Sequence, residues 1–225
     1  MSEIEETAKT TGKAIDAARE AGGFLAQFLK GPLTQLSGMS ETYLRYVRAC
    51  LELGLVEKFK KKLEQRGLTG PTRHVPFKLV MSILREASEE EDDELQDRWA
   101  QLLVNAADKD SGISVEPMYI SILKDLSPQD AWVLDVIYRL VEFTYPEGKC
   151  LVIEGTPDNC TVEVKEPPKV SPSPELQLVL SNLKRLGLIE FDTYWHAVMV
   201  PAAIRRTVLG HKFFRACSAR QTKPT

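Results

Sequence analysis

A chain of 225 residues, 43% of them hydrophobic, can bury a sizeable core and is expected to form one or two domains. Its formal net charge of -3 and pI near 5.8 exclude a general attraction to nucleic acid or acidic membrane, so any such binding must rest on a local patch. No apolar run reaches the roughly 20 residues that span a bilayer. Cys50, Cys150, Cys160 and Cys217 lack paired C-x-x-C spacing and follow no secretory signal, which predicts free thiols in a reducing cytoplasm.

Met1 to about Glu20 is polar and alanine-rich, and a frayed start is expected. Between Ala21 and Leu36, Phe24, Leu25, Phe28, Leu29, Leu33 and Leu36 make a short apolar face broken at Gly31-Pro32. Such a segment suits a membrane interface, but its polar face is not basic, and a short core helix is the simpler reading. Ser40 can cap a long helix from Glu41 to about Arg66, along which Leu44, Val47, Leu51, Leu55, Phe59 and Leu63 advance by three or four residues. Gly54 weakens its middle and Gly67 stops it. Lys58, Lys60, Lys61, Lys62 and Arg66 crowd its C-terminus, where cations are favoured and the next acidic stretch offers partners. A second helix over Val75–Arg85 turns Val80, Ile83 and Leu84 inward, and His74 before it reads as a loop residue.

Glu86 to Asp108 reads as one helix. Ser88 serves as N-cap with Glu91 three residues on, and Glu89 to Asp93 occupy the first turn, where the helix dipole stabilises carboxylates. Leu95, Trp99, Leu102, Leu103 and Ala106 form one buried face, with Trp99 as anchor. Asp108-Lys109-Asp110 opens like a calcium loop but lacks the later ligands. Glu116-Pro117 starts a short helix with Tyr119, Ile120 and Leu123 core-like; Ser127-Pro128 starts another, with Trp132, Val136, Ile137 and Leu140 expected to be buried.

From Tyr145 to Pro174 prolines accumulate, and "KCLVIEG" and "CTVEVKE" read as two strands around the turn Thr156-Pro157-Asp158-Asn159, with Val162 and Val164 on one face. Cys150 and Cys160 flank this hairpin, though a bridge between them is uncommon in the cytosol. A capped helix follows with Leu176, Val179, Leu180 and Leu183 apolar, stopped by Gly187. Then come a strand, a turn near Asp192-Thr193, a strand to Ile204, and a short helix packing Leu209, Phe213 and Cys217. That order is the order of a winged helix-turn-helix module. The expectation is a mainly α chain: a helical bundle domain over 1–126 and a smaller α+β winged-helix-like domain over 127–225.

The chemistry is sparse. His74, His196 and His211 are the only histidines, and none pairs with a Ser, Cys or carboxylate at a diagnostic spacing. No phosphate-binding glycine loop is present, and the carboxylates Glu89 to Glu94 come from one helix start, unlike nuclease-type metal sites that draw on several elements. No enzymatic activity, cofactor or metal is expected. A nucleic-acid reading places Gln177, Ser181, Lys184 and Arg185 outward on the 175–186 helix, with Arg205 and Arg206 near the wing to meet phosphates, on a face that is only modestly basic.

The stretches "VPFKLVMSILREASEEEDDELQDRWAQLLVNAAD" and "YISILKDLSPQDAWVLDVI", with "SNLKRLGLI" and "GHKFFRAC", resemble the abortive infection alpha family, bacterial domains associated with phage defence, over roughly Gly31 to Ser218. The acidic run before the Trp99 helix, together with Leu126-Ser127-Pro128, is the most specific part. The resemblance implies a mostly helical protein of abortive infection and carries over no catalytic residues. It favours a protein of host or phage as partner; a DNA-binding regulator is the alternative, and a membrane-active effector using residues 21–36 the weaker one.

Overall fold

The computed structural model describes residues 20–21, 23–25, 27, 45, 49–50, 54–139, 149–166, 172–191 and 203–219. Their contacts form two compact units, one up to Ile120 and one from Ser121 to Ala219. The sequence expectation set its boundary at 126/127.

In the first unit, α1 (Leu55–Glu64) and α2 (Phe77–Ala87) both pack against α3 (Asp93–Ala107). α1 buries Leu55, Phe59 and Leu63, the stripe that its periodicity predicted, and Val56 besides. The long helix expected over Glu41–Arg66 does not pass through Gly54, which takes the left-handed conformation (φ 70°) that only glycine adopts without strain. Residues 45, 49 and 50 before it are helical.

The acidic stretch is also rearranged. α2 ends at Ala87, and Ser88, expected as an N-cap, instead closes that helix, its hydroxyl donating to Arg85 O at 2.7 Å. Asp92 is the cap of α3, accepting from Leu95 N at 2.9 Å. Glu90 supports it by accepting from Asp92 N through Oε1 (3.0 Å) and from Gln96 Nε2 through its carbonyl (2.9 Å). The lysines of α1 meet this region as expected: Lys58 reaches Asp93 (2.6 Å) and Asp97 (3.4 Å), and Lys62 reaches Asp97 (2.7 Å). Burial would raise the Asp97 carboxyl, but Lys62 and Lys58 outweigh it and hold the group below its usual value. With Asp97 half exposed, such pairs add little stability.

α3 is buried on every side from Arg98 to Ala107, not along a single face. Its C-terminal carbonyls are held by Arg73, which donates to Ala106 O (2.8 Å), Asn105 O (3.1 Å) and Ile113 O (3.2 Å), while Arg66 pairs with Asp108 at 2.8 Å. A cation is favoured there by the helix dipole. Of the 21–36 segment, Ala21 and Leu25 are buried and Lys60 lies 5.7 Å over the Phe24 ring; residues 28–36 fall outside the described residues. Among the described residues no helix is long and apolar enough to cross a membrane. α4 (Pro117–Lys124) buries Tyr119, Ile120 and Leu123.

In the second unit, α5 (Pro128–Arg139), α6 (Pro174–Arg185) and α7 (Val208–Cys217) accompany strands β1 (Cys150–Thr156), β2 (Asn159–Lys165), β3 (Ile189–Phe191) and β4 (Ala203–Arg206). The hairpin forms as its turn residues predicted. The mainly α, winged-helix-like assignment is corrected: the hairpin belongs to a four-stranded antiparallel sheet of order β2-β1-β4-β3, with β1 hydrogen-bonded to β4 through Leu151↔Ile204 and Val152↔Ala203. The chain is mixed α and β. Register puts Leu151, Ile153, Val162, Val164, Phe191 and Ile204 on one face, and α6 packs on β1 and β3 while α5 packs on β2 and α6. Cys150, Val152 and Ala203 form a small buried cluster on the other face. The turn expected near Asp192-Thr193 lies outside the described residues.

α5 is rotated from the expected orientation. It turns Ala131, Val133, Leu134, Ile137 and Tyr138 inward and leaves Trp132 40% exposed. Tyr138 ties the unit together: its hydroxyl donates to Leu188 O (2.6 Å) and accepts from Thr207 N (3.1 Å), while Thr207 caps α7 by accepting from Gly210 N (2.8 Å). After α6, Gly187 N reaches Lys184 O and Leu188 N reaches Leu183 O, both at 2.9 Å, the double bond that ends a helix at glycine.

All four cysteines are buried and stand outside any disulfide. Cys150 pairs with Lys165 and Cys160 with Gly155, so the two sit on opposite faces of the hairpin and cannot bridge. Burial pushes the Cys50 thiol up to about 12 and raises Cys160. Ellman's reagent is therefore expected to label the native protein very slowly and all four thiols in denaturant. Rapid labelling of any thiol in the native protein would contradict this burial.

Candidate functional site

α6 is where the second unit's exterior becomes distinctive. Ser173 caps it, accepting from Leu176 N at 3.2 Å, and Leu176, Val179, Leu180 and Leu183 repeat at helical spacing and are buried. A second stripe, Glu175, Leu178, Asn182 and Arg185, also runs at steps of three and four along the helix. Between this stripe, the start of α5 and the Thr156-Pro157-Asp158 turn lies a groove of about 940 Å³. Leu178 lines it while 74% exposed, the most exposed leucine among the large apolar residues described.

One end of the groove is fixed by hydrogen bonds. Ser127 and Asp130 form a capping box at the start of α5: Asp130 Oδ2 accepts from Ser127 N and Oγ, both at 2.8 Å, and Asp130 N donates to Ser127 Oγ at 3.1 Å. The same Oδ2 accepts from Asn182 Nδ2 at 2.8 Å, so the buried carboxylate joins α5 to α6. Asn182 also donates to Asp125 O (3.1 Å), and Arg185 donates to Asn182 Oδ1 (2.9 Å) and Asp125 Oδ2 (3.0 Å). Arg185 is thus neutralised where it stands. Asp158 and Glu175 are exposed at the groove and have no cation partner among the described residues. A hydrogen bond from its own backbone N–H, then one from the Ser173 hydroxyl, hold the Glu175 carboxyl below its usual value, so it stays charged at neutral pH.

The six residues singled out for nucleic acid are dispersed. Ser181 and Arg185 line the groove. Gln177 folds back to donate to Pro172 O at 2.8 Å, and Lys184 lies 4.6 Å over the Phe191 ring. Arg205 pairs with Glu190, opposite it in the register, whereas Arg206 stands opposite Ile189 and so on the other face of the sheet. Burial pushes the His211 imidazole down, helped by Arg215 and Arg206, and neither arginine lines the groove. Sequence reading missed Leu178, Asp158, Asn182 and Asp130. One signal was present: Leu178 is the leucine of α6 that falls off the buried stripe.

A family model described as abortive infection alpha matches residues 53–217. The chain belongs to that family. The matched span of this abortive infection alpha protein contains α1 through α7, including every groove residue, and it assigns the chain to abortive infection, a form of phage defence. No curated protein and no solved structure matches the chain.

Proposed function

We propose that this abortive infection alpha protein acts in phage defence without catalysing a reaction, by binding a protein of host or phage in the groove beside α6. The observation that carries this reading is Leu178, held out at 74% exposure over a concave surface whose polar end groups already satisfy one another. Covering such a leucine on binding is worth about 1.5–3 kcal/mol. At 74% exposure it contributes little to folding.

Expression in sensitive cells, scored by plaque counts, tests the proposal. Leu178→Asp is expected to lose protection by at least about tenfold with thermal unfolding unchanged, since one buried contact of 1.4 kcal/mol is worth that factor. Full protection by the Leu178→Asp chain would remove the groove from the mechanism.

A further inference from the structure

The groove is sided in charge. Its lining carries Asp130, Asp158 and Glu175 against Arg185 alone, and Arg185 is already paired with Asp125. Asp130 is buried in the capping box, which leaves Asp158 on the hairpin turn and Glu175 on the first turn of α6 as exposed carboxylates flanking Leu178. The surface therefore repels phosphate and favours cations. The stripe from Glu175 to Arg185 spans about 15 Å at the helical rise, the length of roughly three helical turns. An exposed leucine encloses a small molecule poorly, whereas a protein segment can cover it from above.

We infer that the groove docks a protein segment that carries a large apolar side chain flanked by lysine or arginine. The apolar residue covers Leu178 beside Val179 and Pro157, and the cations meet Asp158 and Glu175. This rests on the groove being a protein-binding surface and adds the chemistry of what binds there.

Selection of randomised peptides of about 12 residues against the full chain, with the Leu178→Asp chain as counter-selection, tests it. Peptides enriched on the natural chain are expected to share an apolar anchor and a net charge of about +2 or more. Neutral or acidic winners, or no enrichment over Leu178→Asp, overturn the inference. For the strongest peptide, Asp158→Lys/Glu175→Lys is expected to weaken Kd at least about tenfold and to flatten its salt dependence, with Asp158→Asn/Glu175→Gln in between. Glu91→Lys, in the first unit, is expected to change nothing; an equal loss there means attraction to net charge alone and also overturns it. The two readings fail separately. If Leu178→Asp loses phage protection while Asp158→Lys/Glu175→Lys keeps it, the groove remains and the basic partner does not.

Discussion

Trp99→Ala is expected to destabilise the first unit by about 4 kcal/mol, the middle of the range for emptying a large aromatic site. Trp99 is 1% exposed on the helix that α1 and α2 both cover, and the three helices bury other bulky side chains completely: Phe59, Ile83, Leu84, Leu102 and Leu103. Close-packed surroundings of that kind relax only partly around a void. Urea denaturation followed by helical circular dichroism measures the loss. Trp99→Phe supplies the contrast: among the described residues the buried indole Nε1 has no hydrogen-bond partner, so phenylalanine removes an unsatisfied donor along with some volume, and a loss on the order of 1.5 kcal/mol is expected. Equal losses for Ala and Phe would mean that the indole N–H, and not the packed volume, carries the stability.

Gly210→Ala is expected to destabilise the second unit by about 3 kcal/mol, although Gly210 lies within α7, where alanine is intrinsically preferred by about 1 kcal/mol. The two effects have opposite signs and sterics wins. A methyl on Gly210 would overlap the Tyr138 hydroxyl and the carbonyl oxygen of Leu188, the two atoms joined by the 2.6 Å hydrogen bond that links α5 to the turn after α6. Either the helix start moves or that bond breaks. Tyr138→Phe removes one overlapping atom, so the double variant is expected to be less unstable than the sum of its parts. Thermal unfolding of the four chains decides this, and a stabilised Gly210→Ala chain would refute the close approach.

Local rules carried much of the fold. Ser127-Pro128, Ser173-Pro174 and Gly187 start and stop helices where they stand, and the alternation in "CTVEVKE" yields a strand, because in each case the decisive atoms lie within four residues of one another. Failures came where neighbours distant in sequence decide. Ser88 and Asp92 are both competent caps, and the competition is settled by the end of α2 and the Glu90 contacts to Asp92 and Gln96. Trp132 is apolar enough for a core, yet Tyr138 and Leu134 take the inward side of α5. The pairing of β1 with β4 joins segments about fifty residues apart and has no local signature, so a hairpin was foreseen and a four-stranded sheet was not. The groove is illegible for the same reason: Asp130 meets Asn182 across 52 positions, and the sequence hints only at Leu178 being out of phase.

The alternation along β4 bears on how its arginines are to be interrogated. Adjacent letters in a strand belong to different surfaces, and the register opposite Glu190 and Ile189 separates Arg205 from Arg206 by the thickness of the sheet. A paired alanine variant would therefore merge two unrelated environments into one phenotype. Substituted singly, each reports on its own side, and a duplex-binding defect confined to one of them would say which side meets the ligand.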